Sequence, residues 1–341
     1  MTKRPNVEVL TTIPFPEPVM QRLKAINPRI KVTLSPAQSI NDISPEIWNR
    51  TEVLYTDVLI PPLNLVPKLR WVQFHYAGID YVLDSPLSGN PDIILTSMSG
   101  ASAVQEGEFI MMMLLSLGHR LPELLTNQAK QEWPPDRWER FIPTELTNST
   151  LGLIGYGSIA REVARLVQPF NVKVLAAKRD VMHPADEGYT IEGHGDPDGN
   201  LFHRLYPIQA IKTMLKECDY VVCTLPYTPE TRGMVNDEIF RSMKPGAFFV
   251  HISRGGVVDE NALVQALSEK RLTAAAVDVF TQEPLPASSI LWKVPNLVLT
   301  PHISGFSPRY KERAGEMFIE NLRRYLHEEP LMNTFKPDRH Y

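Results

Sequence analysis

Cysteine is nearly absent from this 341-residue chain, which has only Cys218 and Cys223. Two thiols within the apolar run CDYVVC build neither a disulfide framework nor a metal knuckle, and a reducing cytoplasm suits them best. An excess of one charge is also missing. Thirty-five Lys and Arg against 39 Asp and Glu leave a net −4, which excludes a general attraction to nucleic-acid backbones or acidic membrane surfaces. No apolar run reaches the roughly 18 to 20 residues that cross a bilayer; the longest, 109–117, is broken by Ser116 and ends at Gly118-His119-Arg120. The amino-terminal stretch MTKRPNVEVLTTIPFPEP offers no apolar core ahead of its prolines, so export is not expected. What remains is an ordinary globular composition, 43% apolar and 22% charged, over a length that suits about two domains.

Proline is plentiful, with 30 residues gathered at the ends of apolar segments in IPFPEP, IPPLNLVPK and DSPLSGNPD. Such placement shortens elements and stiffens their connections. Segments 7–13, 52–60 and 71–74 read as strands, Val19 to Ile26 as a helix and Ser102 to Leu117 as a long helix. The stretch 131–146, QEWPPDRWERFIPTEL, reads as a hinge before a second alternating region. From Ser149 an apolar strand, a glycine turn, an amphipathic helix and the strand VKVLAA form a βαβ unit. Further strands are expected at 220–225, 247–252, 273–279 and 297–300, with helices over 237–243 and 261–269, and a terminal helix over 307–327. This alternation predicts an α/β fold with a doubly wound parallel sheet.

The run Gly155-Tyr156-Gly157-Ser158-Ile159-Ala160 is G-x-G-x-x-A between a strand and a helix, the context a dinucleotide fingerprint requires. Gly155 permits the tight turn, Gly157 lets N–H groups approach a pyrophosphate at the helix N-terminus, and Ala160 lets helix and strand pack closely. At the end of the second strand, where an acid would bind a ribose 2′-hydroxyl, stand Lys178 and Arg179. Two cations there favour a 2′-phosphate, hence NADP(H) over NAD(H).

Arg254, Glu283 and His302 each follow a late strand, where side chains of a doubly wound sheet converge on the ligand crevice. Hydride reduction of a 2-oxo acid would need a proton donor, and His302 alone among the three titrates near neutrality. A neighbouring Glu283 would orient and favour its imidazolium. Arg254 would clamp the substrate carboxylate and polarise the carbonyl. His194 and His203 carry no metal-ligand spacing, so no metal is expected.

The motifs HYAGIDYV at 75–82, GYGSIA at 155–160, ECDYVVCTLPYTPETRGMVN at 217–236, MKPGAFFVHISRGGVVDENAL at 243–263, AVDVFTQEPLP at 276–286 and LWKVPNLVLTPHISG at 291–305 occur in one order. In this the chain resembles the D-isomer-specific 2-hydroxyacid dehydrogenase family, which includes glyoxylate/hydroxypyruvate reductases and phosphoglycerate dehydrogenases. The resemblance implies two Rossmann-like domains with the active site in the cleft between them, and a homodimer. Residues 1–118 with 306–341 would form the substrate domain and 119–305 the dinucleotide-binding domain. It places the catalytic Arg, Glu and His on Arg254, Glu283 and His302, and the substrate-carboxylate loop on Tyr76, Ala77 and Gly78. Cofactor positions fall on Tyr156 to Ile159, Pro226, Thr231, Ile252, Asp278 and Gly305, with Asp278 expected near the nicotinamide carboxamide.

The chain departs from the family at Lys178-Arg179, where many members have Asp, and in a long stretch from Arg179 to Cys218 that includes EGHGDPDGN. That stretch reads as a mobile polar loop beside the adenosine site. The implied activity is NAD(P)H-dependent reduction of a small 2-oxo acid. A nucleotide-sensing binding protein of the corepressor type, which shares the fold and the triad, is the alternative.

Overall fold

The structure, a computed structural model, describes residues 6–336. Lys3 and Arg4 of the amino-terminal stretch lie outside the described residues. Two compact units divide the chain: the first holds Met1–Ser102, Glu187–Tyr189 and Ser307–Tyr341, the second Ala103–Asp186 and Thr190–Phe306. The division falls at 102–103, 186–187, 189–190 and 306–307, so the Pro-rich stretch 131–146, expected to be a hinge, lies wholly inside the second unit. Among the described residues no helix is long and apolar enough to cross a membrane.

In the first unit, strands β1 (Val7–Thr11), β2 (Ile30–Leu34), β3 (Val53–Thr56), β4 (Trp71–Phe74) and β5 (Ile94–Thr96) form a parallel sheet in the order β2-β1-β3-β4-β5. Its central strands bury side chains on both faces. Val9, Val53, Tyr55 and Trp71 pack on one side with Phe318 and Leu322 of the helix Tyr310–His327, and Leu10, Leu54, Val72 and Phe74 pack on the other. Burial on both sides is why these strands read as nearly continuous apolar runs.

The second unit contains β6 (Thr150–Ile154), β7 (Lys173–Lys178), β8 (Arg204–Pro207), β9 (Tyr220–Cys223), β10 (Ala247–His251), β11 (Leu272–Val277) and β12 (Leu297–Leu299). They pair in parallel in the order β12-β11-β10-β9-β6-β7-β8. Strand order reverses between β6 and β9, which opens a ligand crevice beyond their carboxyl ends. The helix Ser158–Leu166 follows β6 directly, and Ala160 is fully buried against the sheet. Cys223 lies in β9 and Cys218 just before it; burial pushes their thiols up to about 11 and about 12, so both are inert packing groups.

The stretch after β7 is not the mobile loop expected from its composition. Glu162, on the fingerprint helix and 1% exposed, accepts from Arg165, from the Gly195 N–H at 2.6 Å and from the His194 imidazole at 3.0 Å. Arg161, equally buried, donates to the carbonyls of Asp196 and Pro184, each at 2.5 Å. The Tyr156 hydroxyl donates to Asp196 at 2.6 Å, and Asp196 also accepts from the N–H groups of Asn200 and Leu201. Composition announced a solvated segment, yet buried charges on an adjacent helix fix it through main-chain groups.

Candidate active site

At the start of the fingerprint helix, Gly155 has φ +95°, and a Cβ there would press on Thr224 and Leu225 at 3.2–3.3 Å. Gly157 caps the helix in extended conformation, and a Cβ there would meet nothing within 4 Å. Ser158 and Ile159 follow in the first turn of the helix, where main-chain N–H groups suit an anionic pyrophosphate. The residues present therefore fit a dinucleotide. Tyr156 contributes only its main chain there, because its ring is buried and its hydroxyl is bound to Asp196.

Lys178 ends β7, and its ammonium donates to the carbonyls of His183 at 2.6 Å and Ala185 at 3.5 Å. Arg179 follows it and is exposed. Across the crevice, the Pro226 carbonyl accepts from the buried Thr231 hydroxyl at 2.6 Å. Ile252 is buried just past β10, and the Gly305 carbonyl accepts from Gln105 at 2.5 Å.

Arg254, Glu283 and His302 follow β10, β11 and β12, three adjacent strands of one sheet. Arg254 donates to the Ser253 carbonyl at 2.8 Å. A Cβ on Gly255 would lie 1.8 Å from the Phe280 carbonyl oxygen, so glycine alone lets the Arg254 turn rest on the segment that leads to Glu283. One Glu283 oxygen accepts from the Phe280 N–H at 2.8 Å, and the other lies 2.7 Å from His302 Nδ1. A carboxylate only accepts, so Nδ1 carries the proton and Nε2 is left for chemistry.

His302 itself adopts a left-handed backbone, φ +52°, a strained choice for a residue with a side chain. Asp278 holds it there. This fully buried carboxylate accepts from the Thr300 hydroxyl at 2.6 Å and from the N–H groups of Ile303 and Ser304 at 3.0 and 2.9 Å. The family resemblance assigned Asp278 to the nicotinamide; its carboxylate also anchors the His302 loop, through partners 22 to 26 residues later in sequence.

In the first unit, Tyr76, Ala77 and Gly78 follow β4, and the Tyr76 side chain is exposed. The N–H groups of these three residues donate to no acceptor among the described residues. Successive unengaged N–H groups in one short loop suit a carboxylate.

Comparison with known proteins identifies the family. Residues 111–304 match the family model described as D-isomer specific 2-hydroxyacid dehydrogenase, NAD binding domain. The chain belongs to the D-isomer specific 2-hydroxyacid dehydrogenase family. It is 32% identical over 264 residues to an (S)-sulfolactate dehydrogenase of Chromohalobacter salexigens, covering 76% of this chain and 78% of that one. It is 31% identical over 265 residues to a glyoxylate reductase of Thermofilum pendens, covering 76% and 73%. A crystal structure of a D-isomer specific 2-hydroxyacid dehydrogenase family protein from Aeromonas salmonicida has a TM-score of 0.76 at 29% identity, over 98% of this chain and all of that one. A family member from Xanthobacter autotrophicus, solved with NADPH and MES, gives 0.78 at 25% identity over 99% and 100%. The protein is thus an NAD(P)-dependent 2-hydroxyacid dehydrogenase, an oxidoreductase acting on CH–OH groups, with Rossmann-type sheets.

Proposed function

We propose that this dehydrogenase reduces a small 2-oxo acid of the glyoxylate or hydroxypyruvate kind to the D-2-hydroxy acid, with NADP(H) favoured over NAD(H). The observation that carries the reading is the His302–Glu283 pair, an imidazole held by a carboxylate after β12, in the same sheet as the strand β10 that Arg254 follows. The reduced nicotinamide, when bound, supplies hydride to the carbonyl carbon. His302 Nε2 gives a proton to the carbonyl oxygen, and Glu283 accepts from Nδ1 and so orients the ring for the transfer. Arg254 pairs with the substrate carboxylate and polarises the carbonyl, and the N–H groups of Tyr76, Ala77 and Gly78 in the first unit form a carboxylate-binding loop. Gly155, Tyr156, Gly157, Ser158 and Ile159 cradle the pyrophosphate through the main chain, with Pro226, Thr231, Ile252, Asp278 and Gly305 lining the nicotinamide side.

The preference for NADP(H) rests on Arg179, whose exposed guanidinium can pair with a 2′-phosphate where Lys178 is already tied to the loop carbonyls. A homodimer belongs to this reading, supported by the exposed Leu121, Leu124, Leu125, Trp133 and Trp138, and light scattering tests it. So does a cytoplasmic location, which two buried free thiols suit.

The test is initial-rate oxidation of NADPH and NADH with glyoxylate, hydroxypyruvate, pyruvate and phenylpyruvate, with His302→Ala as control. Turnover that prefers NADPH and collapses in the control supports the proposal. No turnover of any of the four acids, despite tight NADPH binding, overturns it.

A further inference from the structure

The unengaged N–H groups after β4 lie beside a side-chain clamp with no counterpart in the motifs. A trans peptide sets the His75 carbonyl and the Tyr76 N–H in one plane, pointing opposite ways, so whatever fixes the carbonyl aims the N–H. The hydroxyl of Tyr310, 235 positions later in sequence at the start of the helix Tyr310–His327, donates to that carbonyl at 2.5 Å. The Tyr310 ring also meets the His75 ring edge-on, with centroids 5.1 Å apart.

His75 is held on its other sides as well. Its N–H donates to the Thr56 carbonyl at 2.7 Å, and the buried Tyr55 hydroxyl lies 2.5 Å from its Nδ1. Burial keeps Tyr55 a phenol and pushes His75 down to about 4, so Tyr55 donates and the neutral imidazole accepts. The next peptide plane is set differently, because the Tyr76 carbonyl accepts from the Met98 N–H at 3.1 Å. Main chain therefore orients the Ala77 N–H, and a side-chain hydroxyl orients the Tyr76 N–H.

We propose that Tyr310 is a positioning residue for the substrate carboxylate, its hydroxyl holding the His75 carbonyl so that the Tyr76 N–H faces the bound acid. This rests on the reading of residues 76–78 as the carboxylate loop. Tyr310→Phe keeps the ring and removes the hydroxyl. Tyr325→Phe is the control, because Tyr325 lies on the same helix and donates to Glu52 at 2.7 Å, elsewhere in the unit.

The expected result for Tyr310→Phe is a KM for hydroxypyruvate and a Kd for oxalate raised roughly five- to tenfold, the effect of one lost hydrogen bond. The kcat, the KM for NADPH and the Tm should stay near wild type, and Tyr325→Phe should change none of the substrate constants. A wild-type KM and oxalate affinity in Tyr310→Phe overturns the inference, as does an equal loss in both variants. Hydrogen exchange of the segment 75–79 in the NADPH-loaded wild type, with and without oxalate, separates the two readings. Protection on oxalate binding together with an unaffected Tyr310→Phe rejects Tyr310 alone; absence of protection despite turnover rejects the carboxylate loop and the inference with it.

Discussion

His302 Nδ1 lies 2.7 Å from an oxygen of Glu283, 19 residues earlier in sequence. The two residues follow neighbouring strands, so sheet register rather than sequence proximity makes the pair. His302→Ala should lower kcat by about 10²- to 10⁴-fold, the usual contribution of a positioned acid. Glu283→Gln should cost less, because the amide oxygen can still accept from His302 Nδ1 and orient the ring. Stopped-flow oxidation of NADPH over pH 5–9 checks both.

Asp278 accepts three hydrogen bonds from residues 300–304 and so holds His302 in its left-handed backbone. In Asp278→Ala two N–H groups and a hydroxyl lose their acceptor, and the loop is free to relax. The expected outcome is a fall in kcat of about 10²-fold or more with a smaller loss of NADPH affinity. Steady-state kinetics beside a fluorescence titration of NADPH separates the two effects.

Arg179→Ala should raise the KM for NADPH roughly ten- to hundredfold, the worth of one charge-assisted hydrogen bond, and leave the KM for NADH unchanged. Lys178→Ala should do less, because its ammonium is bound to carbonyls of the following loop. Equal loss with both cofactors in Arg179→Ala would rule out a 2′-phosphate contact.

Stability should fall in mild acid. Burial pushes His75 down to about 4 and His251 down to about 3, below their usual 6.5. Between those values the unfolded chain binds more protons than the folded one, so the stabilisation is complete above about pH 6.5 and is lost as pH falls through the folded values. At about 1.4 kcal/mol per pH unit, His75 accounts for about 3 kcal/mol. Urea unfolding from pH 7.5 to 4.5 should show the decline, and His251→Gln should flatten it.

Glu162→Gln should release the segment after β7. The amide cannot accept from Arg165, His194 and the Gly195 N–H together as the carboxylate does. A loss of about 1–3 kcal/mol is expected, with faster proteolytic cleavage within 180–203. An unchanged cleavage rate would show that Arg161 and Asp196 hold the segment by themselves.

Local patterning already specified much of the molecule. The glycine turn at 155–157, the strand at 71–74 and the long helix after Ser102 are set by short-range backbone preferences and by burial on both faces, and both leave marks in a few adjacent residues. The anchoring of the 180–203 segment left no such mark. A charged pair such as Arg161-Glu162 normally reads as the solvated face of a helix, and it is buried only because a distant segment folds over it.

The sequence by itself determined the class of fold, the fingerprint turn and the residue types able to move a proton or hold an anion. Tertiary structure alone decided that Asp278 secures the His302 loop, that Lys178 is tied to its own loop, and that Tyr310 reaches the His75 carbonyl. Periodicity and turn chemistry act over a few residues, whereas a contact spanning 235 positions exists only once the first unit's parallel sheet has fixed where β4 ends and the helix Tyr310–His327 has packed on that sheet.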